Sequence, residues 1–303
     1  MKKPLITSVT LNWKGKDVLL RCIQSLKEQT MPLYEIIVVD NASGDGSIDE
    51  VRAAYPDVVI VENGANWGAP KGRNSGLRRA LEKPIDFIFT LDNDLFAAPD
   101  CVEKLIAGFG DSEKIATVGA FIYADNDENK LLSAGAVIDY TQNVSRQLKV
   151  SGDLDQLNRL SYCGTGHMMT RASLYREIGL LDERYIGYGF EDTDFGMRTK
   201  KAGYEIVSYG RARVWHKAHS NIGYYSFKKK YLESRNAMVF MKRYGHLGTW
   251  SKYLFFAVGG LLAALVIQAP KGNIAGVYGK ALGLFDGLMG NTKRANALLV
   301  SSK

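Results

Sequence analysis

The sequence predicts an α/β fold, with a central, mostly parallel sheet flanked by helices and followed by a C-terminal helical segment that associates with a membrane. Three observations predict it. Short β-branched apolar runs alternate with amphipathic stretches over the first hundred residues. Those runs close on polar clusters. The end of the chain then changes character, to an uncharged apolar stretch and a wide apolar stripe at helical spacing.

The strand-like runs are Leu5–Leu11, Glu35–Val39, Val58–Val61 and Phe87–Leu91. Between them, Leu19, Leu20, Ile23 and Leu26 share one helical face, and Ser47 with Glu50 has the form of a capping box opening a second helix. After Pro99, the positions Val102, Leu105, Ile106 and Phe109 line another helical face. Strands alternating with helices imply βαβ units. In such a sheet, ligands bind beyond the carboxyl ends of the strands. Strand one ends at Thr10 and Asn12, strand two at Asp40-Asn41-Ala42-Ser43, and strand four at Asp92-Asn93-Asp94. One such cluster reads as a turn former. Three on one sheet edge predict a ligand site. The stretch from about 110 to 220 is mixed.

The tail sets a division into residues 1–245, the α/β domain, and 246–303, the helical segment. Leu254–Ala269 is uncharged, carries Gly259 and Gly260 in its middle, and is stopped by Pro270 and Lys271. As a helix it reaches about 24 Å, short of a hydrocarbon layer of about 30 Å. Ile274, Val277, Tyr278, Ala281, Leu282, Phe285, Leu288 and Met289 then form the stripe, followed by Lys293 and Arg294. That pattern suits a helix lying in a bilayer surface. Two ordinary helices packed on the domain, or a contact between copies of the chain, would give the same spacing.

Composition narrows the classes. A chain of 303 residues, 46% hydrophobic, can bury a large core, and 23% charged residues exclude a disordered chain. The net charge of +7 suits anionic phosphates or an anionic lipid surface. Nucleic acid is not an expected partner, because no Arg/Lys stripe with interleaved aromatics occurs. Cys22, Cys101 and Cys163 form neither a zinc spacing nor a disulfide framework. The N-terminus lacks the pattern of a signal peptide, so the expected location is the cytoplasmic face of the cell membrane.

Four constellations carry candidate chemistry. Asp92 and Asp94, where a strand gives way to a loop, suit a hard divalent cation that also binds diphosphate oxygens. The same spacing recurs at Asp125/Asp127, Asp153/Asp155 and Asp192/Asp194, but Asp127-Glu128-Asn129-Lys130 reads as a solvated loop. Glu191, Asp192 and Asp194 lie among Tyr185, Tyr188, Phe190 and Phe195, where desolvation can raise a carboxylate's pKa and fit it to accept a proton. Acids at a helix start are also ordinary dipole partners. His216 and His219, two of the four histidines, follow a strand-like stretch and offer a metal ligand. Finally, Gly68, Gly72 and Gly76 leave a smooth helix face, with Lys71 and Arg73 beside a helix start that can receive phosphate. Close packing alone also accounts for these glycines.

As an ordered set, these residues resemble the family 2 glycosyltransferases, inverting enzymes with the GT-A (Rossmann-like) fold. The resemblance rests on Asn12, Asp40 through Ser47, Asn66 through Gly76, Asp92–Asp94, Gly164-Thr165-Gly166, Arg171, Ile178 through Glu183, Glu191 through Asp194, Ala202-Gly203-Tyr204 and His216, and runs over about residues 5–245. The tail, with Gly283-Leu284-Phe285-Asp286-Gly287-Leu288, is similar to that of a rhamnosyltransferase branch acting on lipid-linked glycans.

The resemblance implies a nucleotide-diphosphate sugar donor, dTDP-rhamnose or a UDP-sugar. It also implies a glycan or lipid-linked saccharide acceptor and a Mg²⁺ or Mn²⁺ cofactor. Asp40 is then expected at the nucleotide base, with Thr10, Asn12, Asn66, Arg73, Asp92 and Asn93 around the nucleotide sugar. Asp94, His216 and Asp92 would hold the metal, and Asp192 would be the general base beside Glu191. His167 stands where many relatives have a small residue. Two rivals stay open: a sugar nucleotidyltransferase, and an inactive membrane-attached scaffold of the same fold. Asn12-Trp13-Lys14-Gly15-Lys16 is a poor match to the glycine-rich loop of the first.

Overall fold

A computed structural model describes residues 3–139, 144–150, 152–217 and 225–300. Its first half alternates as the periodicity predicts: β1 (Ile6–Asn12), α1 (Lys16–Lys27), β2 (Glu35–Asp40), α2 (Ser47–Ala54), β3 (Val59–Glu62), α3 (Gly68–Leu81) and β4 (Phe87–Leu91). The four strands are parallel, in the order β4-β1-β2-β3. Every residue of β4 is buried, and so are the last five of β2, because helices cover both faces of this part of the sheet.

One local expectation fails. Ser47 does not cap α2. Gly46, in the left-handed region at φ 82°, precedes the helix, and the Ser47 hydroxyl donates to Asp45 Oδ1 at 2.6 Å. Asp45 also accepts the Ser47 backbone N–H at 3.0 Å, so an acid outside the helix takes the place of the box.

The chain continues through β5 (Leu95–Ala97), α4 (Cys101–Phe109), β6 (Ile115–Ala124), β7 (Asp127–Ser133), β8 (Ala136–Asp139), β9 (Val144–Gln147), β10 (Leu157–Arg159), β11 (His167–Arg171), α5 (Ala172–Ile178), α6 (Glu191–Lys201) and β12 (Glu205–His216). Here the sheet becomes mixed. β11 runs antiparallel between β4 and β6, and β12 runs parallel to β6. The stretch beginning at Asp127, expected as a loop, is strand β7, paired antiparallel to β6 but exposed over most of its length. Its polar composition reflects an edge strand in solvent.

Four helices complete the fold: α7 (Phe227–Tyr244), α8 (Leu247–Gln268), α9 (Ile274–Met289) and α10 (Lys293–Val300). α8 is longer than the uncharged stretch that announced it. Its 22 residues reach about 33 Å, because Thr249, Ser251 and Lys252 join the first turns. The stripe on α9 divides. Ile274, Tyr278, Phe285, Leu288 and Met289 stay exposed, whereas Val277 is buried.

The opposite face of α9 carries Gly276, Gly279, Gly283 and Gly287, and it presses on α7. A methyl at Gly283 would stand 2.2 Å from the Tyr231 carbonyl oxygen, and one at Gly279 would stand 2.5 Å from that of Phe227. Beside them, the buried Asp286 accepts the Tyr231 hydroxyl at 2.8 Å and pairs with Arg294. The Gly-Leu-Phe-Asp-Gly segment is therefore a helix-packing device. Gly283→Ala should cost about 1–3 kcal/mol, since backbone rather than a flexible side chain meets the new carbon. Thermal unfolding measures it, and an unchanged midpoint would refute the close approach.

Candidate active site

Three strand ends and one helix are tied together by Asn12. Its amide nitrogen lies 3.2 Å from Asp40 Oδ1, 3.1 Å from Ser43 Oγ and 3.0 Å from Ser47 Oγ, while its oxygen accepts Asn93 Nδ2 at 2.8 Å. Asp40 is held further by the Ser43 backbone N–H at 3.1 Å. Asn66 accepts the Gly68 N–H at 3.0 Å and faces Asn41 Nδ2 at 3.4 Å. The α3 glycines are explained by contact. A methyl at Gly72 would stand 2.7 Å from the Asn41 amide, and one at Gly76 would stand 2.5 Å from Val39. Thr10 is fully buried within β1 and does not face the cleft described next.

That cleft, of ≈ 610 Å³, opens beyond the carboxyl ends of the strands and brings together Arg73, Asp92, Asn93, Asp94, Glu191, Asp192 and His216. On one wall the buried Arg73 pairs with Asp92 and donates to Thr165 Oγ1 at 2.9 Å. Asp92 lies so close to Gly166 that a methyl there would come within 2.0 Å of its Oδ2. Next to it, Asp94 Oδ2 lies 3.2 Å from His216 Nε2, and the hydrogen bond that the ring donates to that carboxylate raises the imidazole pKa. His219 falls outside the described residues.

Phe190, a non-glycine residue at φ 73°, turns the chain into α6, whose first residues Glu191 and Asp192 also line the cleft. Asp192 Oδ1 accepts the Thr193 backbone N–H at 2.7 Å and its hydroxyl at 3.2 Å. Glu191 Oε2 is buried without a hydrogen-bond partner. Burial raises the pKa of both carboxyl groups, and the Asp192 charge raises that of Glu191 further.

Asp194 takes no part in the cleft. It is fully buried and accepts from Arg198 at 2.8 Å, Arg243 at 2.7 Å and Tyr244 at 2.7 Å. Of the other aspartate pairs, Asp125 is gripped by Arg21 at 2.7 Å and Asp155 by Arg211 at 2.6 Å. Both serve structure.

Tyr188, expected beside the acids, lines the cleft with them, and so do Trp13, Gln147 and Tyr162, to which the sequence assigned no role. Their signal was absent because each comes from a loop or a short hairpin without periodicity. His167 lines the cleft too, with its Nδ1 2.8 Å from the Ala120 carbonyl and its pKa lowered by burial.

The donor set decides how a cation fits. Among the described residues, no three His, Cys, Asp or Glu side chains gather into one ligand group. Asp92, expected as a third ligand, is paired with Arg73. Asp94 and His216 supply one oxygen and one nitrogen facing open space. Such a pair fits a cation that keeps its other positions for water and diphosphate oxygens.

The family profile described as Glycosyl transferase family 2 matches residues 8–179, and that described as the N-terminal domain of galactosyltransferase matches residues 155–220. Among curated proteins, the uncharacterized glycosyltransferase YfnE of Bacillus subtilis (strain 168) is 26% identical over 236 residues, a match spanning 63% of this chain and 59% of that protein. The poly(ribitol-phosphate) beta-glucosyltransferase of Bacillus spizizenii is 37% identical over 82 residues, which are 25% of this chain and 13% of that one.

Among solved structures, GalNAc-T7 with UDP, GalNAc and Mn²⁺ aligns with a TM-score of 0.68 at 17% identity, covering 98% of this chain and 58% of that one. S. aureus TarS 1–349 with UDP-GlcNAc aligns at 0.59 and 16%, covering 98% and 84%. At such identities the structures establish the fold alone. The profile match is a separate observation, made on sequence, and it takes in the knot around Asn12, the Asp92–Asp94 triplet and the strand that carries His167. Because residues 8–179 are more than half of the 303 in the chain, this protein belongs to glycosyl transferase family 2 and has its GT-A fold.

Proposed function

We propose that this chain transfers a sugar, with inversion, from a nucleotide-diphosphate donor to a hydroxyl of a glycan or lipid-linked saccharide during cell-surface polysaccharide synthesis. The observation that carries the reading is the meeting of Asp192 with Asp94 and His216 in one cleft at the strand ends. Solved relatives hold UDP, UDP-GlcNAc and GDP-mannose, which supports a nucleoside-diphosphate donor without selecting its base. dTDP-rhamnose and UDP-hexoses are the donors to compare.

Asp94 and His216 would hold Mg²⁺ or Mn²⁺ between them, as two relatives crystallised with Mn²⁺ support. A divalent ion supplies charge neutralisation of the departing diphosphate. Arg73 holds Asp92 and Thr165 in place on the same wall. Asp192 accepts the proton of the acceptor hydroxyl as its oxygen attacks the anomeric carbon. Inversion follows from one displacement, so no nucleophilic side chain is required.

The test is a thermal-shift screen of nucleoside diphosphates and their sugars with Mn²⁺, since a ligand of the folded form raises its midpoint. Slow hydrolysis of the best donor should accompany the shift. No shift with any of them would refute the reading. Calorimetry gives the second expected outcome. Mn²⁺ should tighten diphosphate binding by about tenfold or more, equal to about 1.4 kcal/mol, in the native chain and not in Asp94→Ala. A variant that keeps the Mn²⁺ effect would remove Asp94 from the metal.

A further inference from the structure

We propose that the α8–α9 pair docks flat on an anionic lipid bilayer, embedding its outer face without spanning the membrane. The outer face is unusually apolar for a surface in water. Phe255 and Val266 are 73% and 74% exposed, and Leu262, Tyr278, Phe285 and Met289 are each more than half exposed. Scattered single apolar residues need no explanation, but two helices that pack on each other and each carry a row of exposed apolar side chains mark a contact surface.

Charge selects the occupant. Residues 246–300 contain Lys252, Lys271, Lys280, Lys293 and Arg294 against a single acid, Asp286. That acid is buried and engaged by Tyr231 and Arg294. With Arg294 engaged there, Lys252, Lys271, Lys280 and Lys293 remain as an excess of cations beside the apolar area, which fits an anionic lipid surface.

Two observations set the geometry. α8 is long and apolar enough to cross a bilayer, by length and composition. A span would require its middle to lose polar neighbours. Yet the Lys280 ammonium lies against Gly260, where a methyl would stand only 2.8 Å away, and a charge at mid-bilayer depth is costly. In addition, α9 cannot leave the domain, because its glycines are seated on the α7 backbone. α7 in turn holds the segment leading to the active site. Arg235 donates to the Arg184 carbonyl at 2.8 Å, and Asn236 donates to those of Ile186, Tyr188 and Gly189. Docking the pair would therefore fix the Asp192 wall relative to the lipid plane.

The experiment is co-sedimentation of the full chain with phosphatidylcholine vesicles, with and without phosphatidylglycerol, beside the variant Phe255→Glu/Val266→Glu. Both positions are exposed, so the variant should keep its unfolding midpoint and its nucleoside-diphosphate binding, whether or not sugar transfer proves to be the activity. The native chain should pellet with the anionic vesicles, alkaline carbonate should release it, and the variant should pellet about tenfold less. Equal pelleting of native and variant chains overturns the docking face. Resistance to carbonate overturns the flat geometry. A native chain that ignores vesicles but sediments as a dimer, with a monomeric variant, assigns the face to a second copy instead.

Discussion

Asp192→Asn should lower transfer by about 10²- to 10⁴-fold, the range that proton transfer by a positioned side chain contributes. The substitution is close to isosteric. An asparagine oxygen can still accept the Thr193 N–H that Asp192 Oδ1 accepts at 2.7 Å, so the α6 start should keep its shape. What is lost is the capacity to take a proton. Nucleoside-diphosphate affinity should change by no more than a few-fold, because Asp94 and His216, the side chains that would hold the metal and its diphosphate, are left untouched. Single-turnover rates with saturating donor, set beside calorimetric binding, separate the two effects. A variant that retains more than about a tenth of the native rate would move the base elsewhere.

The same site fixes a pH dependence. A base must be ionised to act, and burial raises the Asp192 pKa above the ordinary carboxylate range. The acid limb of the rate profile should therefore lie above that range, with transfer falling as pH drops through the raised value. Glu191, raised by burial and by its neighbour's charge, adds an opposite trend in stability. The folded chain binds these protons more tightly than the unfolded one. Its stability should thus fall as pH rises from the ordinary carboxylate range through the raised values.

Asp194→Ala, two residues away, should do something different. It removes a fully buried carboxylate that accepts from Arg198, Arg243 and Tyr244, leaving cations without their counter-charge. Breaking a buried pair from one side costs about 3–5 kcal/mol. The low end applies, because Arg243 keeps about a third of its side-chain surface in water. For a chain of 303 residues that is a fall of about 5 °C in the unfolding midpoint. At a temperature where the variant is folded, its rate should stay within a few-fold of native. An unshifted midpoint would show the network to be idle, and a lost rate in a folded variant would place Asp194 in the chemistry.

That contrast shows where sequence reading stops. The strands β1 to β4 and their helices were legible because side chains alternate with period 2 in a strand and 3.6 in a helix, and each element needs only its own residues to display it. The polar strand ends were legible for the same reason, since a ligand edge follows from parallel βαβ topology. Two aspartates in the string Glu191-Asp192-Thr193-Asp194 look alike in that reading. Only the packed fold turns Asp192 toward the cleft and Asp194 toward Arg243, which is 49 residues away. The pairing of Arg73 with Asp92, the knot around Asn12 and the seating of three glycines of α9 on α7 are likewise decided by which elements become neighbours. Periodicity is a property of one segment and can be read from it. A contact depends on strand order, register and helix approach together, and those are set by burying every apolar face at once.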